Sequence, residues 1–259
     1  MIPVGDFLRR RTTPWVNWAL IAVNVAVFLY MLTLDQRPNQ FIGRELISQT
    51  DRFLIDWGFV PACLAKTVGL SQHASAADLR LLCPDSNRQV VQLFTAMFVH
   101  AGWAHIFGNM LFLWVFGDNV EDRIGHLPYL GFYFACGLAA AALQTGIAPS
   151  TAVPSVGASG AIAGVLGAYL ILYPKAIVQV VILPLFFIPF FVPAALLIGF
   201  WFVTQLFSGL GEIGTATAGS GVAWWAHVGG FIAGLLLILP AKLDDSSSSR
   251  RRNATWMRP

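Results

Sequence analysis

Charge is what this sequence has least of. Only 11% of its 259 residues are Asp, Glu, Lys or Arg, against about 25% in soluble domains, and Trp15–Leu34 holds none. That shortage excludes an ordinary soluble domain. A formal net charge of +3, scattered along the chain, gives no ground for nucleic acid as a partner. Cysteine is scarce too. Cys63, Cys83 and Cys136 cannot all pair, and they show neither the CxxC nor the Cys/His spacing of a metal centre, so no metal or other cofactor is expected. For Cys63 and Cys83 two readings stand, a disulfide in a loop facing an oxidising compartment or two buried thiols. Trp15–Leu34 follows Arg9, Arg10 and Arg11 but has no small-x-small cleavage site after it, so it reads as a retained helix and not as a signal peptide.

What is present is apolar: 56% of residues are hydrophobic and the mean hydropathy is +0.66, the composition of an integral membrane protein. About 20 apolar residues are needed for a helix to span the hydrocarbon core. Six segments approach that length: Trp15–Leu34, Phe94–Phe116, Pro128–Ile147, Gly157–Tyr173, Pro193–Leu210 and Val222–Pro240. Between the fourth and fifth, PKAIVQVVILPLFFIPFFVP is broken by Pro184, Pro189 and Pro193, and reads as a membrane-surface segment with a seventh span as the lesser alternative. The expected fold is an all-α polytopic bundle of six transmembrane helices. Residues 1–14 would be a cytoplasmic segment, 15–240 the membrane domain with a long first outer loop at 35–93, and 241–259 a disordered cytoplasmic tail. Arginines near both ends, at 9–11 and 250–252, put both termini on the cytoplasmic side. The expected location is a bacterial inner membrane.

In that topology four polar residues fall in one layer near the outer surface. Ser159 begins the fourth span in SVGASGAIAG, His227 lies in AWWAHVGGFIAG of the sixth, and His105 and Asn109 lie in GWAHIFGNMLF of the second. The i, i+4 spacing of the last two puts them on one helical face. Polar groups are costly inside a membrane and mark functional sites by default. This set suits acyl transfer: Ser159 as nucleophile, His227 as its base, His105 and Asn109 as oxyanion donors. No carboxylate shares the layer, so a dyad is implied. The bland alternative is a serine bonding a carbonyl one turn back in a helix that uses GxxxG only for packing.

GASG at 157–160, AHVGG at 226–230, HAGWAHIFGN at 100–109 and FGDNVED at 116–122 resemble the motifs of the rhomboid intramembrane serine proteases, over about residues 90–240. The resemblance implies a Ser159–His227 dyad and an oxyanion hole of His105, Asn109 and the Ser159 backbone N–H. It implies substrates that are transmembrane segments of other proteins, cut near their outer ends. Two features depart from the pattern. Val91 and Gln92 stand where some members have a Trp-Arg pair that anchors the first loop, and Ala163 stands where an aromatic residue would support the histidine. Trp224 or Trp225 is the expected substitute support.

Further expectations follow from single residues. His100 is read as structural, His73 and His126 as solvated loop residues, and Glu121, Asp122 and Arg123 as a cytoplasmic helix-end network. Asn17 and Asn24 are expected to bond between helices, and the sequon at Asn253 lies in the tail. The fifth span, with Phe200, Trp201, Phe202 and Phe207, and the 211–221 loop are expected to form a lateral gate. Two other functions compete, an inactive rhomboid-like scaffold that binds membrane helices and a polytopic transporter.

Overall fold

The computed structural model of the chain describes residues 2–42, 45–70, 83, 86–182, 188–212 and 222–243. Expectations for His73, Asn253, the tail beyond residue 243 and most of the 211–221 loop lie outside them. The helices are α1 (Trp15–Met31), α2 (Gln49–Trp57), α3 (Pro61–Thr67), α4 (Ser86–Thr95), α5 (Trp103–Ile124), α6 (His126–Ile147), α7 (Ser159–Leu172), α8 (Ala194–Glu212) and α9 (Trp224–Leu237).

The bundle inverts the soluble pattern. Asn17, Asn24, Asn109, Glu121, Gln144, Thr145 and Gln205 are buried, while Val23, Leu29, Leu196, Phe200, Phe207 and Leu236 are exposed. In lipid an apolar exterior costs nothing and polar groups gather where they find partners. Helix α7 is the axis, with every residue from Gly160 to Tyr169 buried. Its neighbour α9 packs almost backbone to backbone, because Gly230 and Gly234 lie against the carbonyl oxygens of Gly160 and Gly164 and a Cβ at either would overlap them.

By length and composition α6, α8 and α9 with its continuation to Leu243 can cross a membrane. A fourth span results if Arg88–Phe98 and Trp103–Ile124, bent by 81°, count as one, and α1 and α7 are apolar but shorter. The second span was expected over Phe94–Phe116. The helix that carries it starts instead at Trp103 and runs to Ile124, after a break at Val99–Gly102. Only His100 interrupts the apolar and small residues around that break, which hides it from hydropathy.

The all-α expectation needs a larger correction. Strand β1 (Ile2–Asp6) pairs antiparallel with β4 (Ile177–Val181), which pairs antiparallel with β5 (Pro189–Pro193). The proline-broken piece, read as a membrane-surface segment, therefore contributes two paired strands and not a seventh span, and the N-terminal segment adds the third strand. Val178 and Val180 point into the core, and Pro189 and Pro193 sit at the two ends of the edge strand, where a missing N–H is tolerated. A second hairpin, β2 (Gln40–Ile42) with β3 (Glu45–Ile47), lies in the first loop.

The helix-end network forms as expected. Glu121, fully buried, accepts from the backbone N–H groups of Val16 (3.0 Å) and Asn17 (2.7 Å), so a carboxylate caps α1. Asp122 accepts from Arg11 and Thr12, and Arg123 donates to the Ala241 carbonyl. His126 is no free loop residue: it opens α6 and its Nδ1 meets Glu121. Asn17 bonds between helices, donating to the Leu113 carbonyl at 3.0 Å and accepting from Tyr129 Oη at 2.8 Å. A π-helical turn at Leu113–Gly117 departs from the regular i→i+4 pattern where Asn17 bonds. Asn24 donates to Leu20, one turn back on its own helix, and its side chain also meets Tyr133 of α6.

Candidate active site

Ser159 is the first residue of α7 and is presented by a turn fastened at several points. Phe59 and Ser155 exchange backbone hydrogen bonds, Gly157 N–H donates to the Ala96 carbonyl at 2.8 Å, and Ala158 N–H points at His100 Nε2, 3.5 Å away. His100 is wholly buried there, consistent with its structural reading. Gly157 has φ +118°, and a Cβ on it would lie 2.5 Å from His105 Nε2. Only glycine serves both needs, the left-handed backbone and the close approach of the imidazole.

Across the α7–α9 contact, Ser159 Oγ lies 2.8 Å from His227 Nε2. The other ring nitrogen, His227 Nδ1, lies 2.8 Å from Gln205 Oε1 on α8. Two tryptophans flank the imidazole, Trp201 tilted at a centroid distance of 6.0 Å and Trp224 edge-on at 6.1 Å. Trp224 thus takes part of the supporting role left open by Ala163. Trp225 packs at Gly209 instead.

His105 stands beside Gly157 and edge-on to His100, with centroids 5.0 Å apart. Asn109, buried one turn further along α5, donates through Nδ2 to the His105 carbonyl at 2.9 Å. No hydrogen bond joins Asn109 to Ser159. A cleft beside the serine is lined by Phe59, Ala96, Met97, Ala140, Gly160 and Ala226.

Two residues were not singled out from sequence. Gln205 lies in a span whose aromatic residues dominate its sequence, and its one signal is a glutamine one turn after Trp201 in an apolar helix. Gln92, noted only as a departure, is buried and donates to the carbonyls of Ile55 (3.0 Å) and Asp56 (3.1 Å). With Thr95, which donates to the Trp57 carbonyl at 2.9 Å, it fastens the first loop to α4. Cys63 and Cys83 form a disulfide in that loop.

Residues 87–242 match the family model described as the Rhomboid domain. The chain belongs to the rhomboid family. It is 29% identical over 161 residues to RHOMBOID-like protein 1 of Arabidopsis thaliana, covering 61% of this chain and 39% of that protein. It is 27% identical to Rhomboid protein 1, mitochondrial, of Saccharomyces cerevisiae, covering 60% and 43%, and 40% identical over 79 residues to Rhomboid protease GluP of Bacillus subtilis, covering 30% and 15%. The chain spans about half the length of the curated relatives it matches, or less. Rhomboid proteins are typically intramembrane proteases, and together with the apolar helices the family makes this chain an integral membrane protein. Relatives named for the chloroplast and the mitochondrion stand beside the bacterial one, so the expectation of a bacterial inner membrane finds no particular support among them.

Proposed function

We propose that this rhomboid protein is an intramembrane serine endopeptidase that cuts transmembrane segments of other membrane proteins. The observation that carries the reading is the 2.8 Å hydrogen bond between Ser159 Oγ and His227 Nε2, made between two helices in the interior of an apolar bundle. A helix-binding scaffold has no need of that bond. In the reaction, Ser159 Oγ attacks the scissile carbonyl carbon while its proton passes to His227 Nε2. The tetrahedral intermediate collapses with cleavage of the C–N bond, and His227 returns the proton to the leaving amine. Water, deprotonated by His227, then attacks the acyl carbon, and His227 returns the proton to Ser159 Oγ as the C–O bond to the serine breaks.

The developing oxyanion is placed at the start of α7. The N–H of Ser159 opens a helix and has no acceptor within it, and no side chain caps that end. The positive end of the helix dipole favours an anion there. His105 Nε2 lies beside the same turn, and Asn109, with one N–H committed to the His105 carbonyl, keeps a second donor free.

Six helices, α1 and α5 to α9, are assigned as spans, with both termini on the cytoplasmic side and the disulfide-bearing first loop outside. The 14 residues of α7 extend only about 21 Å, against about 30 Å of hydrocarbon. Enclosed by protein on all sides, α7 need not match the lipid, and its Ser159 end is sunk below the outer surface. Cleavage there requires an extended substrate backbone, so small and helix-weakening residues near the cut favour a substrate.

Labelling the detergent-solubilised protein with a serine-directed fluorophosphonate and mapping the adduct tests the reading. Modification at Ser159, absent from Ser159→Ala, is expected. A folded chain that takes no label, or takes it equally after Ser159→Ala, would overturn the proposal.

A further inference from the structure

We infer that Gln205 is a positioning residue of this site, which holds His227 in the one tautomer able to accept the serine proton. The inference rests on the protease reading. It follows from the hydrogen bonds around the Gln205 amide, taken in order. Gln205 Nε2 lies 3.3 Å from the Trp201 carbonyl oxygen, an atom that can only accept. It also lies 3.1 Å from Thr204 Oγ1, whose own proton is given to the same Trp201 carbonyl at 2.6 Å. Both neighbours are therefore acceptors, and the NH₂ end of the amide must face them.

The carboxamide oxygen is thereby turned toward His227 Nδ1, 2.8 Å away. An oxygen at that distance requires a proton on Nδ1, and neutral imidazole carries only one. Nε2 is left with its lone pair aimed at Ser159 Oγ, 2.8 Å away. The serine must donate. A carboxylate does this in a serine triad, where it also stabilises the imidazolium; Gln205 supplies the orientation without the charge, which suits a buried place at 7% exposure.

The three groups come from three helices, Ser159 from α7, His227 from α9 and Gln205 from α8. Helix α8 meets α9 through Trp201 and Phe202, the latter stacked on Phe231 at 4.3 Å. Helix α8 therefore carries the acceptor that orients the base, and an α8 that moves aside to admit substrate must reseat Gln205 on His227 before the chemistry.

The test uses the full chain in proteoliposomes with a transmembrane substrate. Gln205→Met keeps the length of the side chain and removes the acceptor. It is expected to lower kcat about 10- to 10²-fold, less than the roughly 10⁴-fold cost of losing a triad aspartate, with KM within about twofold. Fluorophosphonate labelling of Ser159 should slow by a similar factor, and Gln205→Glu, which restores an acceptor, should recover most of the loss. A folded Gln205→Met protein with unchanged kcat and labelling would overturn the inference. Nitrogen NMR of ¹⁵N-histidine protein, with His227→Ala to assign the signal, needs no Gln205 variant: an Nδ1–H tautomer is expected at His227, and an Nε2–H tautomer would overturn the inference. Should Ser159→Ala abolish cleavage while Gln205→Met leaves it intact, only the role of Gln205 falls. If folded Ser159→Ala still cleaves, the protease reading itself falls.

Discussion

Ser159→Ala adds no volume and removes a hydroxyl whose hydrogen bond is worth about 1 kcal/mol, so the bundle should fold while cleavage of a reconstituted substrate is abolished. His227→Ala should be nearly as damaging, and the double variant no worse than either, because two groups that act as one unit are not additive. Cleavage by a well-folded double variant at a rate well below both singles would contradict that. Asn109→Ala is expected to be milder, about 10²–10³ in rate, since the backbone N–H of Ser159 remains. The residues of this site differed in how plainly the sequence displayed them. Ser159, His227, His105 and Asn109 stand out as polar groups in apolar runs at matching depth. Gln205 is equally polar and equally placed, yet nothing in the spacing of 22 residues between it and His227 announces a contact. Its meaning depends on which way the amide faces, and that is set by the Trp201 carbonyl.

Helices here are held by what their contact faces leave out. Gly234→Ala would drive a methyl group into the Gly164 backbone, and overpacking of this kind costs about 1–3 kcal/mol. Because α7 and α9 must separate to admit it, cleavage should fall together with the thermal midpoint. Loss of stability with fully retained activity would mean that the α7–α9 spacing does not govern the Ser159–His227 bond. Phe202→Ala removes the stacked contact with Phe231, worth about 0.5–1.5 kcal/mol, and should raise cleavage of a transmembrane substrate about 2- to 10-fold. Labelling by a small fluorophosphonate should not rise with it, since a small reagent needs no displaced α8. Equal rates for wild type and variant on the large substrate would remove the gate. Trp201 is a poorer probe because its ring lies against His227. Periodicity and length made the later helices readable from sequence. The β4–β5 hairpin was not, because three prolines in an apolar run suggest a surface segment in lipid, while the strand that completes the sheet lies near the other end of the chain.

At the scale of the molecule, one cluster ties the N-terminal strand to the helices. Asp6 accepts from Asn119 Nδ2 at 2.9 Å and from Tyr169 Oη, and Arg10 pairs with Asp118 at 3.4 Å. Asp6→Ala leaves the buried Tyr169 hydroxyl without its acceptor and Asn119 Nδ2 with Asp118 alone, at about 1–3 kcal/mol. A lower thermal midpoint in detergent is expected, with the Ser159 labelling rate in the folded fraction unchanged. An unaltered midpoint would show that β1 is held by its strand pairing alone.

That attachment also sets a schedule. Asp6 and Tyr169 are 163 residues apart, so at about 5–20 residues per second a ribosome needs roughly 8–30 s after making β1 to supply the helix residue it binds, and longer to supply β4. Throughout that interval the strand has an unpaired edge and no sheet to join. The sheet thus cannot close until α7 has been made, and β5 runs directly into α8. A molecule that captured β1 during synthesis would leave every helix free to insert and the β4–β5 pair at the base of α8 intact, yet would release a finished bundle whose sheet lacked its third strand.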